Sequence, residues 1–222
     1  MKIYADHAAT TKMSDAAINT LLCMSKEVWG NPSSLYEQGQ KAKEVLEQAR
    51  EDVASVINAD PKEIYFTSGG SEADNQAILT AAEIGRKQGK KHIISSAFEH
   101  HAVLHTLEKL RKEGFDITLL DVHENGIILP CEVEDAIRDD TCLVTIMYAN
   151  NEIGTIQPIR EIGEVCRRKR CCSTQTLCRQ WHTSRWTSRR TISTCFPLPP
   201  ISSTARRAPD SFTVKRASSF RT

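Results

Sequence analysis

The chain has 222 residues, with 29 Lys and Arg against 28 Asp and Glu and a formal net charge of +1. That length holds one ordinary domain of about 150 to 200 residues plus a remainder. The near-zero charge is a cancellation, because residues 1–165 carry 16 basic and 27 acidic side chains (−11) and residues 166–222 carry 13 and 1 (+12).

No run approaches the roughly 18 apolar residues that a membrane helix needs. The opening Met1-Lys2-Ile3-Tyr4-Ala5-Asp6 has no signal-peptide core, so a soluble, cytoplasmic protein is expected. In that compartment Cys23, Cys131, Cys142 and Cys166 read as thiols rather than a disulfide framework. Cys171-Cys172 with Cys178 lacks the two-plus-two spacing of a zinc ribbon, and no metal site is expected.

Residues 1–13 read as an amino-terminal arm containing His7, which physics alone leaves as a solvated side chain. Ser14 caps a helix in which Ile18, Leu21 and Leu22 recur at helical spacing toward Trp29. The turn Gly30-Asn31-Pro32-Ser33-Ser34 ends it. A second helix is expected from about Gln38 to Ile57, with Ala42, Val45, Leu46, Ala49, Val53 and Val56 on one face. Glu63 to Thr67 is a short strand, and an alanine-rich helix follows from about Glu72 to Gln88. Strands are then expected at His92–Ser96, Asp116–Leu120 and Thr141–Met147, and helices at about His101–Lys112, Cys131–Arg138 and Ile159–Cys166. Alternating strands and helices with short connections predict an α/β fold with a mainly parallel sheet over residues 14–168.

Three segments at carboxyl ends of these strands can carry chemistry. In Thr67-Ser68-Gly69-Gly70-Ser71-Glu72, two glycines and the unpaired N–H groups of the following helix make an anion site. The Ser68 and Ser71 hydroxyls are candidate donors. The spacing equally suits a plain strand-to-helix turn, and it matches neither the P-loop nor the dinucleotide fingerprint. Glu99-His100-His101 follows the strand ending at Ser96, where open parallel sheets bind ligands; a His there can stack on a flat ligand or move a proton, or simply cap the next helix. Asn150-Asn151-Glu152-Ile153-Gly154 follows the strand of residues 141–147, where amides can orient a hydroxyl or simply build a turn.

Taken together, these segments with Tyr4-Ala5-Asp6-His7-Ala8-Ala9-Thr10-Thr11 and Gly30-Asn31-Pro32-Ser33-Ser34 resemble the cysteine desulfurases. Those are pyridoxal-phosphate (PLP) enzymes of the class V aminotransferase group, with the fold type I architecture. The likeness runs in unbroken order from about Lys2 to Arg168. It implies that Gly70 and Ser71 bind the PLP phosphate, that His100 stacks on the pyridine ring and takes part catalytically in proton transfer, and that Asn151 bonds the ring hydroxyl. It also implies L-cysteine as substrate, a sulfur-acceptor protein as partner, and a homodimer when intact. A selenocysteine lyase or another class V aminotransferase fits the same segments.

The family also needs an acidic partner for the pyridine nitrogen, a Schiff-base lysine and a nucleophilic cysteine in a later loop. The segments that carry them are absent from the residues as written, so whether this chain is an enzyme is left open. Residues 169–222 are expected to form a tail without a fold and to leave the sheet short of its later strands. From Cys171 onward 18 of 52 residues are Ser or Thr, and no periodic apolar pattern remains.

Reading the third base of each codon with the first two of the next changes that tail. From the Ser173/Thr174 junction to Trp181-His182 the genetic code then permits His-Thr-Asp-Ala-Val-Gln-Ala-Val-Ala. Gln175 followed by Thr176 allows only Asp or Asn, and Trp181 followed by His182 forces Ala. From Leu198 to Ala208 the same offset permits Ser-Ala-His-Lys-Phe-His-Gly-Pro-Lys-Gly. These resemble the missing Asp/Gln and lysine segments in the family's order, so a single-base change near codons 169–171 is expected. The alternative is a non-catalytic protein with a basic nucleic-acid-binding arm, in which Arg189-Arg190 and Arg206-Arg207 contact phosphates. The mixture of Trp, Cys and Pro without a helix or motif argues against it.

Overall fold

The computed structural model describes residues 3–5, 12–176, 194–197 and 211–214. The elements run α1 (Asp15–Glu27), α2 (Glu37–Ile57), β1 (Ile64–Thr67), α3 (Gly70–Lys87), β2 (His92–Ser96), α4 (His101–Lys112), β3 (Asp116–Leu120), α5 (Pro130–Ala136), β4 (Thr141–Thr145), α6 (Ile159–Arg168), β5 (Cys172–Thr176), β6 (Thr194–Pro197) and β7 (Ser211–Val214). A single 3-10 turn at Pro61–Glu63 leads into β1.

The strands form one sheet in the order β1-β7-β6-β5-β4-β2-β3. Neighbours from β6 through β3 are parallel, whereas β7 runs antiparallel to both β6 and β1. All five residues of β2 and of β4 are buried, as expected of central strands covered on both faces. Side chains alternate across the sheet. Ile93 and Leu143 therefore join Ile78 and Ala82 of α3 and Val103, Leu107 and Leu110 of α4 in one cluster. Ile94 and Val144 pack on the opposite face with Val133 of α5 and Ile159, Ile162 and Cys166 of α6.

Sequence periodicity places β2, α4 and β3 at their observed ends, and the Ser14 hydroxyl caps α1 by accepting from Ala17 N at 3.2 Å. The faces of the first two helices differ from expectation. No residue of α1 is buried, and α2 buries Gly39, Ala42, Ala54 and Ile57 while Val45 and Val56 are 37% and 61% exposed. The reason is geometric: α2 packs on β1 and the 3-10 turn through its carboxyl-terminal part, where Ala54 and Ile57 join Ile64, while Gly39 near its other end lies against the Gly30–Ser34 turn. The Gly30 turn is fixed by close approach. A Cβ on Gly30 would lie 2.2 Å from Gln38 O, and one on Gly39 would lie 2.6 Å from Ser34 O.

Helix α6 ends at Arg168, and β5 begins at Cys172, within the segment from which no fold was expected. Three strands of that segment supply the later positions of the sheet: β5 pairs with β4, and β6 and β7 fill the gap to β1. Ladder pairing uses backbone groups, which every non-proline residue carries, so strand positions can be met by sequences without an apolar pattern. The remainder of the tail, residues 177–193, 198–210 and 215–222, lies outside the described residues, as do most of the expected arm and its His7.

Candidate functional site

The amino end of α3 follows β1 through Ser68-Gly69. Its first backbone N–H with a hydrogen bond to the helix entry is that of Ala73, which donates to Gly69 O at 3.1 Å. The N–H groups of Gly70, Ser71 and Glu72 precede it and have no acceptor within the helix. A Cβ placed on Gly69 would meet no atom within 4 Å. Ser68 does not join the donor set as expected. Its N–H donates to Glu72 Oε2 at 2.6 Å and its hydroxyl to the same oxygen at 2.5 Å. Those bonds hold the Glu72 carboxyl below its ordinary range, the hydroxyl contributing most.

His100 is the N-cap of α4, and its Nδ1 accepts from Ala102 N at 3.1 Å. The capping role weighed from sequence is therefore present. It does not remove the ring from the site, because the residue is exposed and Nδ1 as acceptor places the proton of the neutral ring on Nε2.

In the third segment the two asparagines divide the work. Asn150 builds the turn: its Oδ1 accepts from Glu152 N (2.8 Å) and Ile153 N (3.1 Å), and its Nδ2 donates to Phe98 O at 3.3 Å. Gly154, at φ 75°, closes it by donating to Asn150 O. Asn151 stands exposed at the head of this turn.

Three ties bring these segments to one edge of the sheet. Asn150 Nδ2 reaches the residue before Glu99. Glu99 Oε1 accepts from Met147 N at 2.5 Å and from the Ser96 hydroxyl at 3.0 Å, linking the β2–α4 turn to the chain just beyond β4. The Thr106 hydroxyl on α4 donates to Asn75 Oδ1 on α3, setting the second turns of the two helices side by side. Electrostatics agree, since buried Asp74 in α3 acts on Glu99. Gly70, Ser71, His100 and Asn151 thus lie on turns that are tied together, offering backbone donors for an anion, a flat ring and a side-chain amide. The sequence alone assigned no role to Glu99, Asp74 or Ser96. The signal available was an acidic residue directly before His100 in a strand-to-helix turn, where a solvated side chain is the ordinary expectation.

Other expected features divide likewise. Cys142, Cys166 and Cys171 are buried, and Cys23 and Cys131 are exposed free thiols. Cys172, Cys178 and Cys195 have no described side chains. Among the described residues no helix is long and apolar enough to cross a membrane.

The chain matches the family described as aminotransferase class-V over residues 3–174. The "Putative cysteine desulfurase IscS 1" of Bacillus subtilis (strain 168) is 50% identical over 164 residues, which cover 74% of this chain and 43% of the relative. A cysteine desulfurase IscS of Methanosarcina thermophila is 50% identical over 165 residues, 74% of this chain and 41% of that one. The chain therefore spans less than half the length of these curated relatives. Among solved structures, one described as a NIFS-like protein superposes with a TM-score of 0.88 at 31% identity, covering 98% of this chain and 60% of its own. Another, described as SspA in complex with cysteine, gives 0.86 at 30% identity, with 96% and 61% covered.

Proposed function

The chain belongs to the aminotransferase class-V family, and on that footing we propose that it is the cofactor-seating portion of a PLP-dependent cysteine desulfurase, without the groups that complete the chemistry. The observation that carries this is the convergence of three turns. The amino end of α3, the His100 cap of α4 and the Asn151 turn lie at one edge of the sheet.

The residues present fit the phosphate and ring of PLP. Gly70 and Ser71 N–H groups bind the phosphate, aided by the positive end of an 18-residue helix. The His100 imidazole covers the ring and holds or moves a proton at Nε2, while the Asn151 amide bonds the ring hydroxyl. Bound PLP supplies an electron sink at the substrate's α-carbon. The intact relative's reaction takes sulfur from L-cysteine, leaving alanine, and passes it as an enzyme persulfide to an acceptor protein for iron–sulfur or thio-cofactor synthesis. A homodimer and a cytoplasmic location go with that role. Selenocysteine lyase is the alternative within the family, and a nucleic-acid-binding protein with a basic arm the alternative outside it.

Residues from about 169 onward are proposed to be the same gene read one base out of frame. One finding supports a junction there: the family match ends at residue 174.

Calorimetric titration with PLP tests the seat. The expected result is weak, reversible uptake that competes with inorganic phosphate and is reduced in His100→Ala. A lysine-linked yellow form that survives dialysis would refute the missing-lysine part, and no uptake at all would refute the seat. Alanine release from cysteine separates an enzyme from a binder; none is expected.

A further inference from the structure

Glu99 is the buried acid that the roles above do not use. It is 5% exposed, and its two oxygens are treated very differently. Oε1 receives both available donors, Met147 N–H and the Ser96 hydroxyl, whereas Oε2 is buried with no hydrogen-bond partner. Asp74 on α3, itself 3% exposed, is the charged side chain acting on it. His100 and His101 lie next along the chain, both exposed.

An ionised Glu99 leaves half of a buried charge facing nothing, beside a second acid. A neutral Glu99 leaves a single hydroxyl unmet, which costs far less than an uncompensated buried charge. We propose that Glu99 stands in the folded chain as a neutral carboxylic acid, with its proton on Oε2. It is a positioning residue that ties the His100 turn to the Met147 end of β4 and keeps a second negative charge away from the first turns of α3.

Burial is the largest influence on the group and pushes it up to about 8; the Met147 and Ser96 bonds oppose that and Asp74 reinforces it. The positive field at the amino end of α3 is then not offset by a charge at residue 99. Protonation of Glu99 does not depend on what the site holds. Its role in seating a ring does rest on the PLP function proposed above.

Linkage gives the pH signature. The folded group binds its proton more tightly than the unfolded one, so the stability gained from protonated Glu99 is whole at about pH 4 and below. It is lost progressively as pH rises from there through about 8. Glu99→Gln keeps the acceptor and a donor and cannot ionise. In the full 222-residue chain its melting temperature should therefore match wild type near pH 5 and exceed it near pH 9. A gap that is the same at every pH, or failure of E99Q to fold between about pH 5 and 7, overturns the protonated state.

Infrared spectra of chain labelled with carbon-13 at glutamate carboxyls read the proton directly with no ligand present. The wild type should show a protonated-carboxyl band at pH 7 that disappears in E99Q and on alkaline titration; its absence at pH 7 overturns the assignment. For the positioning role, PLP is titrated into wild type, E99Q and Glu99→Ala. Retention by E99Q with a loss of roughly tenfold in E99A supports it, and equal losses in both overturn it. If wild type takes up no PLP, the seating role falls with the site, and the infrared band still decides the proton.

Discussion

At the scale of single residues, the described chain carries another buried titratable group, at the other end of β2. His92 is fully buried, with Nδ1 2.7 Å from the Thr141 hydroxyl on β4 and Nε2 2.9 Å from the Thr118 hydroxyl on β3. It therefore bridges three adjacent strands. Burial lowers its pKa, Arg138 adds to the effect, and Asp116 and Asp140 oppose it. A base whose folded pKa is depressed binds its proton in the unfolded chain first. Stability is then complete above about pH 6.5 and is lost as pH falls below it. His92→Gln keeps a polar bridge and removes the titration. Urea midpoints of wild type should drop more steeply between about pH 7 and 5 than those of H92Q; parallel curves would mean that the ring is not the group responsible. Glu99 loses its contribution as pH rises from about 4 through about 8 and His92 loses its own as pH falls below about 6.5, so the two trends oppose each other in the acid range and only the Glu99 loss acts above it. Neither was legible beforehand. A histidine at the start of an apolar strand and a glutamate after its end look alike as solvated ends until the neighbouring strands are in place.

At the scale of elements, much was legible because local physics decides it. Ser14 caps α1, Asn58 at φ 55° closes α2, and β2, α4 and β3 end where their periodicity ends. The order in which strands pair was not legible, since β1 lies four strands from β4 and five from β2, its successor in the chain. That long crossing is made by α3, which packs on β4, β5, β6 and β7 and depends on one glycine. A Cβ on Gly85 would fall 2.4 Å from Cys142 Cβ and 2.8 Å from its Sγ. Gly85→Ala therefore forces α3 away from β4. Although alanine favours helix, overpacking should outweigh that gain and cost about 1–3 kcal/mol. Urea denaturation checks it; an unchanged or raised midpoint would show that α3 and β4 separate freely. The candidate site was half legible for the same reason. Its three turns each carry a local signature, but the ties Glu99–Met147 and Thr106–Asn75 join residues 48 and 31 positions apart.

At the scale of the whole molecule, the charge divides where the family likeness ends. A net −11 over residues 1–165 and +12 over 166–222 is hard to reconcile with one selected surface, and a frame change explains it without invoking a partner for the basic part. The strand order adds a geometric condition. Shifted by one base, the Gln175/Thr176 junction yields Asp or Asn at the carboxyl end of β5, adjoining β4 through the Thr145–Thr174 pair. The lysine permitted at the Ile201/Ser202 junction follows β6, the next parallel strand in the sheet. Both missing groups would then enter from the strands next in order to those that already carry His100 and Asn151, on the side where open parallel sheets hold ligands. Sequencing the gene decides the matter. The expected codons read GAC across Gln175/Thr176 and AAG across Ile201/Ser202, with an open frame continuing beyond codon 222. Restoring one base near codons 169–171 should then give a chain that takes up PLP and resists its removal by dialysis. Codons at those junctions that specify other residues would end the frame-change account and leave the basic segment as a sequence in its own right, for which salt-dependent binding of nucleic acid, abolished by deleting residues 171–222, is the property to measure.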